Sequence, residues 1–133
     1  MFRSFLAVIA GYAVFAVSAG ALFRVAGQDP HGEASVPFMI GTTVYGVAFA
    51  LLGGYVSGWI ARRRPLAHGL AVAIVLALGA GVSLFFTLGK GQVWSQVAAL
   101  AAMAPAAAFG GWLRARVIEH ALGGQSVEIT RRN

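Results

Sequence analysis

The feature that most constrains this chain is a set of four long apolar segments that contain no Asp, Glu or Lys. They cover residues 5–23, 37–61, 65–89 and 93–113. Each is close to the roughly 20 residues that an α-helix needs to cross the hydrocarbon core of a bilayer. The segments between them combine charged residues with Gly or Pro, which favour turns. The sequence therefore predicts four transmembrane helices joined by three loops.

Composition supports a membrane protein over a soluble one. Charged residues make up 11% of the 133 residues and hydrophobic residues 59%, whereas soluble domains carry about 25% charged residues. This chain has too few polar side chains to cover the surface of a soluble domain of its size. We therefore expect an all-α fold, a single integral membrane bundle over residues 1–133. Its four helices would pack through small residues in antiparallel up-down order, followed by a cytoplasmic tail over residues 114–133.

The arginines predict the orientation of this bundle. Of the 10 Lys and Arg residues, all but Arg24 and Lys90 fall on one side of the predicted spans. Because cytoplasmic loops are enriched in Lys and Arg, both termini are predicted to be cytoplasmic. The bias toward Ala, Gly and Arg is typical of a GC-rich bacterial genome, which places the protein in a bacterial cytoplasmic membrane. The alternative is a cleavable signal peptide ending near residues 19–21; the apolar run continues to Phe23, so we expect the first span to be retained.

Small residues recur at every fourth position in the last three spans. This spacing puts them on one face of a helix, where they allow close approach of a neighbouring backbone. The second span also contains a GxxxG motif. Chance is the alternative explanation, because Gly and Ala are abundant throughout the chain. The predicted helix-packing residues are Gly46, Ala50, Gly54 and Gly58 in the second span, Gly69, Ala73, Ala77 and Gly81 in the third, and Ala98, Ala102, Ala106 and Gly110 in the fourth.

The fourth span is poorly suited to direct contact with lipid. Between residues 98 and 108, only Leu100 and Met103 are large apolar side chains. Ala contributes much less to membrane insertion than Leu or Ile. We therefore expect other protein segments to shield this helix. Pro105 lies in its middle and predicts a kink, because Pro removes a backbone hydrogen-bond donor.

The spans offer little reactive chemistry. The small multidrug exporters also have four helices, but they depend on a Glu in the first helix, where this chain has Tyr12 and Ser18. No catalytic pairing or phosphate-binding motif is present, and cysteine is absent. We therefore predict a non-enzyme that uses no metal and no cofactor. Hydroxyl groups suitable for lining a polar path are those of Thr42, Thr43, Tyr45, Ser57 and Ser83.

A group of arginines forms a predicted basic rim on the cytoplasmic side. These residues set the topology and attract anionic lipid headgroups. Docking of an acidic partner is the alternative role. Orientation accounts for the net charge of +6, so nucleic acid is not an expected partner. The rim consists of Arg62, Arg63, Arg64, Arg114 and Arg116.

These observations predict a non-catalytic accessory or scaffolding subunit. It would pack against larger membrane proteins, or against itself, through its Ala and Gly surfaces within the lipid bilayer. The alternative is a small homo-oligomeric channel or transporter that uses the hydroxyl groups and the predicted kink. After the fourth span, the helix is expected to continue along the interface and to end at Gly123 and Gly124.

Overall fold

The computed structural model of the chain describes residues 2–89 and 92–132 and places their side chains up to residue 122. This part of the chain is helical and contains no strand. Four helices are long and apolar enough to cross a membrane, which confirms the all-helical, multi-pass prediction. The elements are α1 (Phe2–Ala26), α2 (Val36–Ala61), α3 (Pro65–Thr87), α4 (Trp94–Ala98), a π-helical segment (Ala99–Met103) and α5 (Ala104–Arg132). We call residues Trp94–Leu122 the fourth span.

A short turn joins α2 to α3. Arg62 and Arg64 both have a left-handed backbone, with φ of 59° and 47°. The amide of Arg62 donates to the carbonyl of Gly58 at 3.3 Å, which closes the end of α2. Pro65 then begins α3, where its missing amide hydrogen removes no helical bond. The triple arginine is therefore confined to the turn and is exposed there.

The contacts between helices show which pairs run in opposite directions and which run in the same direction. Those between α1 and α2 run in opposite sequence directions, since Arg3 donates to the carbonyl of Ile60 at 2.9 Å and Tyr45 to that of Ser18 at 3.4 Å. Contacts between α2 and the fourth span run in the same direction: Gly46 faces Met103, and Gly54, further along, faces Ala107. We call the end that carries Arg3 and the arginine turn the basic end. The other is the His31 end.

Glycines allow the helix backbones to touch. An added Cβ at Gly11 would lie 2.5 Å from the carbonyl oxygen of Gly53, and one at Gly53 would meet the carbonyl oxygen of Gly11. This reciprocal contact marks the crossing of α1 and α2. Gly69 and Gly111 make the equivalent contact between α3 and α5, where the added Cβ on Gly69 would lie 2.6 Å from the Cα of Gly111. Such close approach favours backbone Cα–H···O contacts.

The fourth span is covered by its own chain. In its most apolar stretch 44% of the residues are buried, against 17–22% in the other three helices. Its buried residues include Met103, Ala104 and Ala107, which join Ala50 of α2 and Val72 of α3 in the core. The shielding expected from its composition is thus supplied by α2 and α3.

The π-helical segment interrupts the fourth span just before Pro105. The amide of Ala104 donates to the carbonyl of Ala99, five residues earlier. Pro105 has no amide hydrogen to continue an α-helical ladder, and its ring crowds the preceding turn. A wider turn at this point accommodates the ring. π-Segments of this kind are rare and often lie near functional sites.

The expected end of the last helix at Gly123 and Gly124 is wrong. Helix α5 continues through both glycines to Arg132. Each Gly in a helix interior costs only about 1 kcal/mol relative to Ala, so an established helix continues past two of them. A Gly pair alone is therefore a weak signal for a helix end.

Large apolar side chains cover the outside of the bundle. Examples with more than half of their surface exposed are Phe5, Val17, Ile40, Leu78 and Phe85. In a soluble protein such a surface would aggregate, whereas lipid chains solvate it. The exterior is therefore compatible with lipid contact on all sides.

Candidate functional site, a polar cavity at the His31 end

Gln96 is the centre of a buried polar cluster. It lies on α4, and only 4% of its surface is exposed. Its amide nitrogen donates to Nδ1 of His31 and to Oγ of Ser83, the latter at 3.3 Å, and its Oε1 lies 3.0 Å from Oγ of Ser95. A buried amide is costly unless its donors and acceptors are used. The cluster therefore compensates for placing Gln96 inside an apolar bundle.

The loop between α1 and α2 is folded into this cluster. Asp29 closes a tight turn, because its Oδ1 accepts from the amide of His31 at 2.8 Å and its carbonyl accepts from the amide of Gly32 at 3.0 Å. The turn places His31 next to Gln96 at this end of the bundle. Three further hydrogen bonds tie it to the start of the fourth span: Ser95 Oγ to Pro30 O at 2.6 Å, Gln92 N to His31 O at 3.1 Å, and Trp94 Nε1 to Gly32 O at 3.4 Å.

A cavity of about 190 Å³ lies beside Gln96. It is bounded by α1, α3, α4, the first residue of the π-helical segment and the loop between α1 and α2. Its polar lining consists of hydroxyl groups, the Gln96 amide and the imidazole of His31. Among the described residues, the hydroxyl of Tyr12 has no hydrogen-bond partner. The lining residues are Tyr12, Phe15, Pro30, His31, Leu76, Ala80, Ser83, Ser95, Gln96 and Ala99.

Packed residues separate this cavity from the basic end. Leu76 lines the cavity and is 3% exposed, and Val72, one turn earlier in α3 and nearer the basic end, is fully buried. The crossing of Gly11 with Gly53 lies at the same level, against Val72. The cavity is therefore blind toward the basic end in this conformation.

One buried hydroxyl lies within that packed layer. Ser57 is fully buried, and its Oγ has no hydrogen-bond partner in the described part of the chain. Its Cβ would lie 2.8 Å from a Cβ built on Gly11. Unsatisfied buried hydroxyl groups are uncommon and cost about 1–3 kcal/mol. The contacts of the described residues therefore do not explain why a hydroxyl group is buried at position 57.

A second, apolar groove of about 570 Å³ runs between α2 and the fourth span. Ile40, Val44 and Val97 line it and are each at least half exposed. It is separate from the polar cavity, which lies on the other side of α4. The groove residues are Met39, Ile40, Thr43, Val44, Gln92, Val93, Trp94, Val97, Ala98 and Ala101.

The predicted packing residues have different environments. Gly46, Ala50, Gly54 and Gly58 of α2 are all buried, as are Gly69, Ala73 and Gly110. An added Cβ at Gly81, in contrast, would meet nothing within 4 Å, and Ala77 is only half-buried. The fourth-span row Ala98, Ala102 and Ala106 is half-buried, while Ala104, Ala107 and Gly111 form its buried face. Ala98 and Ala106 nevertheless pack against the core of the bundle.

The basic rim divides into exposed and engaged arginines. Arg62, Arg63 and Arg64 are exposed on the turn. The guanidinium of Arg114 lies 5.7 Å from the ring centre of Tyr55, and that of Arg116 lies 5.1 Å from Trp112. Arg116 also lies 3.5 Å from the Glu119 carboxylate.

Sequence reasoning missed most of the cavity. Of its polar lining only Ser83 was among the predicted hydroxyls. Gln96 is uncharged and lies near the start of the fourth span, so a search for charged groups inside the spans does not find it. An amide inside an apolar segment is itself a signal, since interhelical hydrogen bonds from Gln stabilise membrane bundles.

Comparisons with known proteins give no family for this chain. No protein-family model, curated protein or solved structure matches it. The functional argument therefore depends on the residues of the chain itself.

Proposed function

We propose that this protein binds a small, uncharged, hydrogen-bonding solute in the polar cavity and acts as a small channel or transporter. The observation that carries the proposal is Gln96, a buried amide beside a cavity that is also lined by Tyr12, whose hydroxyl has no hydrogen-bond partner among the described residues. The proposed protein is a multi-pass protein of a bacterial cytoplasmic membrane, with both termini cytoplasmic and the His31 end outside. It performs no covalent chemistry.

The size and charge of the cavity set the class of solute. A cavity of about 150 Å³ holds a molecule as large as benzene, and this one measures about 190 Å³. The lining offers amide, hydroxyl and imidazole groups, and the described carboxylates do not line it. Small polyols and amides match this set of donors and acceptors.

The packed layer between the cavity and the basic end implies that a solute crosses either by alternating access or through a rare opening of this layer. Leu76 and Val72 block the route to the basic end. Ser57 provides a hydroxyl group within this layer, so a solute that passes the layer finds one polar contact there. Movement of α1 against α2 at the Gly11–Gly53 crossing is the proposed opening motion.

Permeability of proteoliposomes tests the proposal. Vesicles containing the purified protein are exposed to osmotic gradients of glycerol, urea and larger polyols, and their volume is followed by stopped-flow light scattering. We expect permeability to at least one of these solutes to exceed that of protein-free vesicles. Gln96→Leu should lower this excess at least tenfold, whereas the same change at the exposed Gln92 should leave it unaltered.

A second variant separates a role in binding from a role in folding. Tyr12→Phe removes only a hydroxyl that lacks a partner in the described chain, so thermal stability should not fall. The excess permeability should nevertheless decrease. Permeability equal to that of empty vesicles for every solute, or unchanged after both substitutions, would disprove the proposal.

The accessory-subunit hypothesis is the second candidate, and the apolar groove favours it. Because α2 and α3 already cover the fourth span, that helix no longer requires a foreign subunit. The remaining argument is the groove of about 570 Å³ with exposed Ile40, Val44 and Val97, which is suited to an apolar helix of a larger protein. Native mass spectrometry after mild extraction should then detect a foreign subunit bound to the protein. Ala101→Trp places a large side chain in the groove, so the foreign subunit should be absent from this variant.

A further inference from the structure

Arg114 is a partly buried cation whose charge is not compensated by any described side chain. Its Nε is buried and has no hydrogen-bond partner among the described residues. Glu119 pairs with Arg116 instead, and Asp29 and Glu33 belong to the loop at the opposite end. An unpaired guanidinium in a region of low dielectric constant needs a counter-ion.

Arg114 lies where α5 packs against α2. Gly110, one helical turn earlier, lies against the backbone of Leu51 and Tyr55. Arg114 therefore continues the same face of α5 toward the basic end, and its guanidinium lies over the Tyr55 ring. The contact with this ring holds the guanidinium against α2.

Two tryptophans indicate that this level corresponds to the lipid headgroups. Trp59 of α2 is 58% exposed and Trp112 of α5 is 37% exposed. Indole rings concentrate at the interface between hydrocarbon and water. Because α2 and α5 run in the same direction, Arg114 lies at a depth between those of Trp112 and Trp59. An anion at its guanidinium would therefore be at headgroup depth.

We propose that Arg114 binds the phosphate group of an anionic phospholipid, in a site formed with Tyr55 at the basic end. The planar guanidinium donates two parallel hydrogen bonds to phosphate oxygens. The lipid chains extend along the apolar exterior of α2 and α5. This site is independent of the polar cavity and of the solute proposed for it.

Lipid titration of the purified protein tests the site. Delipidated protein in a neutral detergent is titrated with phosphatidylglycerol or phosphatidylcholine, and bound lipid is counted by native mass spectrometry. We expect tighter binding of phosphatidylglycerol. Arg114→Gln should weaken it about tenfold, whereas Arg63→Gln, the same charge change on the exposed turn, should weaken it less than threefold.

Two further arms make the outcome decisive. Arg114→Lys keeps the charge but loses the planar pair of donors, so it should weaken phosphatidylglycerol binding severalfold while the protein remains folded. Inorganic phosphate at millimolar concentration should not displace the lipid. Equal effects of the substitutions at Arg114 and Arg63 would overturn the site in favour of diffuse attraction. Displacement by inorganic phosphate would overturn the assignment to lipid.

Discussion

At the scale of single residues, contact with a backbone carbonyl distinguishes the glycines that this fold requires. Gly54 faces the carbonyl of Ala107, which cannot move without moving α5. Gly81 has the same residue type and a helical backbone, yet open space surrounds it. The four-residue spacing in the sequence cannot distinguish these two positions, because it identifies a face but not what lies opposite.

A pair of alanine substitutions tests this distinction. Gly54→Ala should destabilise the protein by about 1–3 kcal/mol through overpacking. Gly81→Ala should stabilise α3 by about 0.5–1 kcal/mol, because Ala loses less backbone entropy in a helix. Unfolding in mixed detergent micelles, followed by tryptophan fluorescence, measures both. Equal effects of the two changes would contradict the proposed contact at Gly54.

The buried hydroxyl of Ser57 allows a second test at this scale. Ser57→Ala removes a polar atom that has no hydrogen-bond partner among the residues that the structure describes, so the free energy of unfolding should increase by about 1 kcal/mol. Ser18→Ala is the matched control, since its Oγ donates to the carbonyl of Phe15 at 2.8 Å. That control should be neutral or slightly destabilising. A loss of stability at position 57 alone would show that Ser57 has a partner that the static structure does not contain.

At the scale of elements, the π-helical segment determines where Gln96 points. An α-helix advances by 3.6 residues per turn, so one additional residue in a turn rotates everything before it by about 100°. Residues 96 and 103 would share a face in a regular α-helix. Here Gln96 faces α3 and the loop, while Met103 faces Gly46 of α2. We therefore expect Pro105 to influence the orientation of Gln96, although it does not line the polar cavity.

Replacement of Pro105 tests this coupling. Pro105→Ala restores an amide donor, which allows a regular α-helix and rotates α4 away from His31. Amide hydrogen exchange in residues 92–98 and in the loop of His31 should then increase at least tenfold. Pro37→Ala, in the first turn of α2, should leave exchange there unchanged. Unaltered exchange in Pro105→Ala would show that the π-helical segment persists without the proline.

At the scale of the whole molecule, the two ends of the bundle differ in charge. The basic end carries Arg3, the arginine turn and Arg114, whereas the described part of the His31 end contains Asp29, Glu33 and one arginine, Arg24. The positive-inside rule predicts that the basic end is cytoplasmic. The proposed solute cavity would then open outside, and the proposed lipid site would contact the inner leaflet.

The absence of cysteine makes this orientation simple to test. Single cysteines replace Gln28 beside the His31 loop and Ser4 near the start of α1, both of which are exposed. A membrane-impermeant maleimide added to intact spheroplasts should label Gln28→Cys and leave Ser4→Cys unlabelled until the membrane is permeabilised. The opposite pattern would invert the orientation and both assignments that depend on it.

The sequence by itself determined the number of spans, their helical nature and their approximate ends. Each property depends on a local requirement: about 20 apolar residues cross a bilayer as a helix, and Pro, Gly and charged residues interrupt it. The poor fit of the fourth span to lipid was also local, since it follows from its Ala content.

Only the tertiary structure decided which faces meet. Gln96 and His31 are distant in the sequence and meet because α2 and α3 bring the first loop to the start of the fourth span. The partners of Gly54 and Gly110 depend on helix order and direction, which four similar apolar helices do not encode locally. A π-helical turn then changes the angular relation between the residues before and after it, so a four-residue spacing does not by itself give the face that each part of the fourth span presents.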